Sequence, residues 1–347
     1  MTEKNRAMEL YRFLCAVMIL CYHCQWYAFR DSDAAFSGFY VFVELFFILS
    51  GFLMMNSIRR RSLSGCPHPA EETGRYIKGR VRQLLPQHLL SLCLAAALHL
   101  WLLRDMLPIE VAEAGWPELL LVNIFGFVRD QYVNIVCWYL SALVFASLLL
   151  YYLILRSEDA FVKVLAPVLL VVCYGSLFDR TESLAATIHF ARFAPNMGFL
   201  RALADLTAGV LAYRAWEWLR PVSLPHEKLL ATLLELSIAL CAVFVLARRG
   251  SKLDFLFVPL FFTFVISVFR GKSLWTRLFD NRLSDWLGRQ SYAYFLNNFV
   301  VIYPYLYFFP SSNLPAMAWF CAPVCLAVSA VTGALLRPAP KKRGIIE

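Results

Sequence analysis

Residues 10–24 read LYRFLCAVMILCYHC, an apolar run suited to a membrane-crossing helix but interrupted by Arg12 and His23. Eleven residues at about 100° each return almost to the same helical face, with a rise of roughly 16 Å between the two side chains. The segment therefore presents a cation and an imidazole in line, at different depths of an apolar surrounding. The rest of the chain supplies that surrounding. Of its 347 residues 60% are hydrophobic and only 16% charged, and the mean hydropathy is +0.60. A soluble domain carries nearer about a quarter of charged residues, so the composition is that of a membrane protein.

Lipid offers no partner to backbone amides, so a crossing segment closes its hydrogen bonds within a helix of about 20 apolar residues. Windows of that kind predict helices over 8–27, 37–58, 84–103, 134–154, 161–178, 198–216, 229–247, 254–270, 286–309 and 315–336. The expected fold is all-α and polytopic, with about ten transmembrane helices. The windows at 161–178 and 254–270 are short enough for tilt or re-entry, and GWPELLLVNIFGF at 115–127 suits an interfacial dip. An even count puts both termini on one side. The basic stretches SIRRRSL (57–63), RYIKGRVR (75–82) and RPAPKKRG (337–344) make that side the cytoplasm by the positive-inside rule, with Arg248, Arg249 and Lys252 as the exception. Residues 1–347 read as one transmembrane domain, ending in a short basic cytoplasmic tail within 337–347. The first helix lacks a small-residue cleavage pattern and is expected to remain as a signal anchor.

The net charge of +9 follows from these basic loops, which meet anionic headgroups; membrane lipids, not nucleic acid, are the implied partners. No zinc-finger spacing, phosphate-cradling loop, repeat or low-complexity tract is present. The ten cysteines fall mostly inside apolar windows, where they act as small hydrophobes. CYHC at 21–24 also has a spacing found in redox and metal sites, but without the accessible context those require. No metal is expected.

Four places carry polar groups that an apolar helix tolerates only for a reason. Arg12 sits about one turn into the first helix, where snorkelling to headgroups competes with a role inside the protein. His23 is either a satisfied packing residue or a general base. Glu44, in FVELFFILSGFLMM (42–55), either orients His23 by accepting a ring N–H or neutralises an arginine. In GRVRQLLPQHLL (79–90), Arg80 and Arg82 precede Pro86, placed in the opening turn of the third helix. Guanidinium forks there suit a phosphate-bearing cofactor, and plain topology-setting charge is the alternative.

Taken in order, Arg12 with His23, ELFFILSGF (44–52), RVRQLLP (80–86), WYLSAL (138–143), RALADLTAGVLAY (201–213) and LGRQSYAYFLNN (287–298) resemble the integral membrane acyltransferase-3 family across nearly the whole chain. The resemblance implies O-acylation of a glycan or a small hydroxylated acceptor from an acyl-CoA donor, acetyl-CoA foremost, in a bacterial cytoplasmic (inner) membrane. It assigns chemistry to His23, Arg12 and Glu44, and donor binding to Arg80, Arg82 and Arg12. Ser50 and Gly51 match the family's serine-glycine. Acceptor contacts are expected from Trp138, Tyr139, Tyr292 and Asn298; Trp138 and Tyr139 also fit an interface belt. Two positions depart from the pattern. Asn298 stands where relatives often have histidine, and Leu143 where many have glutamate. Transport of a lipid-linked glycan is the competing function, weakened by the lack of repeated halves. A binding protein derived from the enzyme scaffold is a third, and a homo-oligomer is left open.

Overall fold

The fold is that of a computed structural model describing residues 5–29, 35–61, 66–127, 132–185, 196–245 and 250–336. Among these the chain is all-α. The basic tail at 337–347, with Arg248 and Arg249, lies outside the described residues.

Helix α1 runs Arg6–Ala28; the Asn5 side chain accepts the Met8 N–H at its start and donates to the Val268 carbonyl, 2.8 Å away. A 3₁₀ turn at Phe39–Val41 leads into α2 (Phe42–Arg60). Helix α3 (Pro69–Ala97) continues through a π turn at Leu98–Leu103 and stops at Arg104, which has left-handed backbone angles. A short helix α4 (Pro108–Leu119) and a 3₁₀ turn at Asn123–Phe125 occupy the segment expected to dip. Next come α5 (Trp138–Arg156) and α6 (Glu158–Ala160), the latter passing through a π turn into α7 (Ala166–Thr181). Helices α8 (Met197–Leu219), α9 (Glu227–Val245), α10 (Phe257–Arg270) and α11 (Leu274–Leu278) follow. The chain closes with α12 (Arg282–Leu296), α13 (Asn298–Phe308) and α14 (Leu314–Leu335).

Among the described residues, eight helical segments are long and apolar enough to cross a membrane. The two remaining windows show why the count differs from ten. That at 198–216 is one helix, α8, but it carries Arg201, Asp205, Arg214 and Glu217. That at 286–309 is broken at Asn297 into α12 and α13. The short windows at 161–178 and 254–270 lie inside longer segments, Glu158–Thr181 and Lys252–Arg270. Helix α3 begins at Pro69, not near 84: proline fills the first turn, and Arg75 bonds Glu72 at 2.6 Å on a polar extension. Pro86 is consequently an interior proline, and the reading that put it in an opening turn is corrected.

Burial divides the helices into an inner and an outer ring. In the spanning windows of Phe39–Arg60 and Ile135–Arg156, 78% and 72% of residues are buried inside the protein, against 22% for Glu158–Thr181 and Glu227–Val245. The outer helices expose Val171, Leu240 and Val243, as helices facing lipid do. At the centre α2 crosses α8 at backbone contact. A Cβ on Gly51 would strike the Leu206 carbonyl, and one on Gly209 the Ile48 carbonyl. Glycine lets the two backbones meet, the usual device of close helix packing in membranes. The same relation joins α12 to α1, where a Cβ on Gly288 would collide with Glu9.

Candidate functional site

The five helices α1, α2, α3, α5 and α12 enclose a cavity of about 400 Å³. Its polar end is built from the N-terminal half of α1 and the turns of α3 and α12 beside it. Arg12 lines it, bonded to Glu9 at 3.0 Å. Arg80 lines it from α3; among the described residues it makes no ion pair, and its Nε is buried without a partner. Arg289 lines it from α12, paired with Asp285 one turn earlier. With Arg12 paired to Glu9 and Arg289 to Asp285, Arg80 is the guanidinium that leaves this end net cationic, a setting for an anion.

Moving along the cavity, Ser50 turns its hydroxyl back to the Phe46 carbonyl, and Tyr292 donates to the Leu84 carbonyl at 2.9 Å, tying α12 to α3. Leu143 supplies an apolar wall. The far end is closed by rings. Phe295 lies 5.3 Å from Tyr139 and 6.5 Å from Phe46, centroid to centroid, and all three line the cavity.

His23 is not in the lining. It stands behind Phe295, 6.5 Å from that ring and 5.1 Å from Phe299, and its Nδ1 is 2.9 Å from the amide nitrogen of Asn298. The expected site residues therefore fall into three groups. Arg12, Arg80, Tyr139 and Tyr292 share the cavity, together with Ser50. His23 and Asn298 form a buried pair just beyond its closed end. Arg82, Glu44 and Trp138 lie away from the lining: Arg82 is exposed on α3, while the other two are in the helix core.

Glu44 belongs to a different network. Its Oε1 accepts from Arg201 Nη2 at 2.5 Å and Nε at 3.1 Å, with both side chains fully buried. It neutralises an arginine and does not bond His23. The Arg201 guanidinium also lies 5.6 Å from the Trp138 ring, and Trp138 packs on Phe47 and Tyr139, so the pair backs the cavity wall from behind. One turn on, Asp205 accepts from the Tyr174 hydroxyl at 2.5 Å.

Sequence reasoning missed Glu9 and Arg289 as cavity residues and Arg201 as the partner of Glu44. Arg201 carried a signal, since an arginine inside a predicted spanning window calls for a partner. Glu9 and Arg289 carried little, because both lie in the first turn of their predicted windows, 8–27 and 286–309, where charge is ordinary. A second polar knot was also missed. His88 bonds the Glu118 carbonyl at 2.9 Å, and the Glu118 carboxyl accepts the N–H groups of Val133 and Asn134. The ten cysteines are free, Cys21 and Cys24 included, and no group of three metal-ligating side chains occurs among the described residues.

No curated protein and no solved structure matches the chain. A family model does: Acyl_transf_3, an acyltransferase domain, over residues 5–336. The match takes in every helix that builds the cavity and the His23–Asn298 pair behind it, and the chain belongs to this family of integral membrane acyltransferases.

Proposed function

We propose that the protein is a membrane-bound O-acyltransferase that moves a short acyl group, acetyl foremost, from cytoplasmic acyl-CoA to a hydroxyl of a cell-surface or lipid-linked saccharide. Family membership supports a membrane acyltransferase; donor, acceptor and orientation are this reading's own. One observation carries it: a cavity that is cationic at one end, through Arg80 beside the paired Arg12 and Arg289, and closed by Phe295 directly in front of His23 at the other. In this reading the chain crosses ten times in the inner membrane of a bacterium, with both termini and the cationic end on the cytoplasmic side.

The donor's phosphates sit against Arg80 and Arg289, whose forks offer two donors to each phosphate. The pantetheine arm follows the cavity toward Phe295, and the roughly 16 Å rise from Arg12 to His23 is a length such an arm can bridge. With the Phe295 ring turned aside, the thioester reaches the imidazole. His23 takes the proton of the acceptor hydroxyl as its oxygen bonds the acyl carbon; an alcohol attacks well only when deprotonated in the transition state. The carbon–sulfur bond breaks, and the imidazolium gives the proton to the leaving sulfur. Arg12 is placed to steady negative charge on the donor side.

Arg80→Ala tests the donor arm in membranes supplied with acetyl-labelled acetyl-CoA. Removing one charge-assisted phosphate contact, worth about 1.5–3 kcal/mol, raises KM for acetyl-CoA by roughly ten- to a hundredfold with kcat little changed. An unchanged KM puts the phosphates elsewhere. Transport, the competing function, predicts no label in any glycan and a change in glycan export instead.

A further inference from the structure

His23 acts as a base only if one ring nitrogen is held by a partner while the other keeps its lone pair. The partner at Nδ1 is Asn298, fully buried, with its amide nitrogen 2.9 Å away. Among the described residues no hydrogen-bond partner stands at Nε2. Asn298 is the first residue of α13, directly after the break between α12 and α13. The break itself is fixed: the Asn297 side chain donates to Thr332 at 3.2 Å and lies 3.5 Å from Ser329, both on α14. The Asn298 amide is therefore mounted on a backbone that α14 holds in place.

We propose that Asn298 is the positioning residue that sets the tautomer of His23, holding Nδ1 so that Nε2 faces the acceptor hydroxyl. The proposal rests on the acyltransferase reading above. An amide offers a donor on one edge and an acceptor on the other. In the structure the amide nitrogen faces Nδ1 and the amide oxygen lies 3.8 Å from Cys325 Sγ, an arrangement that puts the ring proton on Nε2 and masks the base. After a half turn of the amide, its oxygen accepts from Nδ1–H and Nε2 presents a lone pair. In the transfer step the acceptor O–H proton passes to Nε2 as the carbon–oxygen bond forms and the carbon–sulfur bond breaks. Nδ1–H stays on Asn298 throughout, and Nε2 then returns the proton to the sulfur. The amide does this without adding a charge between the rings of Phe295 and Phe299, where an ion would be costly.

The test measures steady-state transfer from acetyl-labelled acetyl-CoA into envelope glycans, in membranes holding equal amounts of folded protein. The variants are Asn298→Leu, Asn298→Asp, His23→Ala, and His23→Ala with Asn298→Leu. A general base contributes about 10²–10⁴-fold, and mis-setting its tautomer forfeits part of that. Asn298→Leu is expected to lower kcat by about ten- to a hundredfold with KM for acetyl-CoA unchanged. Asn298→Asp, which still accepts from Nδ1–H, is expected to recover most of the loss. A packing role predicts the reverse order, since leucine suits the apolar surroundings better than a carboxylate does. On the His23→Ala background, Asn298→Leu is expected to change nothing further. Leucine matching or exceeding aspartate, or an additional loss on that background, overturns the assignment. An intact protein that transfers no label overturns the acyltransferase reading and this inference with it.

Discussion

At the scale of single residues, the deepest commitment in the molecule is the Glu44–Arg201 pair. Both side chains are fully buried, so removing Arg201 strips the buried Glu44 and Asp205 carboxyls of their cation, and removing Glu44 leaves Arg201 without its hydrogen-bonded partner. Glu44→Ala or Arg201→Ala alone is expected to cost about 3–5 kcal/mol, read as a fall in thermal unfolding temperature in detergent. Glu44→Leu combined with Arg201→Met is expected to regain much of that, because an apolar pair has no charge to desolvate. Two single variants as stable as the parent would mean that the pair is not buried as described. Phe295 matters for selectivity. It closes the cavity in front of His23, and the proposed reaction therefore expects a short acyl group there. Phe295→Ala is expected to raise kcat/KM for butyryl-CoA relative to acetyl-CoA by roughly tenfold, the scale set by one or two methylenes in an apolar pocket. No change in that ratio would place the acyl group elsewhere.

At the scale of helices, the α2–α8 crossing depends on Gly51 and Gly209 meeting backbone directly. Gly209→Ala forces the helices apart and is expected to cost at least about 1–3 kcal/mol, again read by thermal unfolding. A neutral outcome would contradict the close crossing. Helix α4, which is not a spanning segment, gives a pH dependence. Burial pushes the Glu118 carboxyl up to about 8, against the pull of the Asn134 and Val133 N–H groups that favour its charged form. The folded protein therefore holds a proton that the unfolded chain releases near its ordinary value. This contribution to stability is full at acid pH and is lost as pH rises through about 8. Unfolding temperatures of the parent, compared with Glu118→Gln between about pH 5 and 9, are expected to fall more steeply with rising pH for the parent. Parallel curves would show that Glu118 does not titrate in that range.

At the scale of the whole molecule, apolar length was the most legible property. Among the described residues each predicted window falls on helix, that at 286–309 on two, because a chain in lipid has few ways to close its backbone hydrogen bonds. Where charge enters, legibility ends. Residues 69–83 extend α3 although they are polar, since Pro69 and the Arg75–Glu72 pair stabilise a helix that hydropathy does not register. The break at Asn297 is invisible because apolar residues continue on its far side. Arg12, Arg80, Tyr139 and Tyr292 were found from their residue types and motifs, and the fold gathers them around one cavity. Glu44 was singled out, but its partner is 157 residues away, a relation that only the crossing of α2 and α8 creates. The position of His23 behind Phe295 rests on ring packing among three helices, which no spacing along the chain encodes.

The central claim is that this membrane protein transfers an acyl group by means of His23. Its most direct test is mass spectrometry of envelope glycans and exported metabolites from cells expressing the intact protein, its His23→Ala variant, or neither. The account predicts an added acyl mass, acetyl foremost, with the intact protein alone. The same mass in the His23→Ala cells would remove His23 from the chemistry, and unchanged masses with altered glycan export would contradict acyl transfer itself.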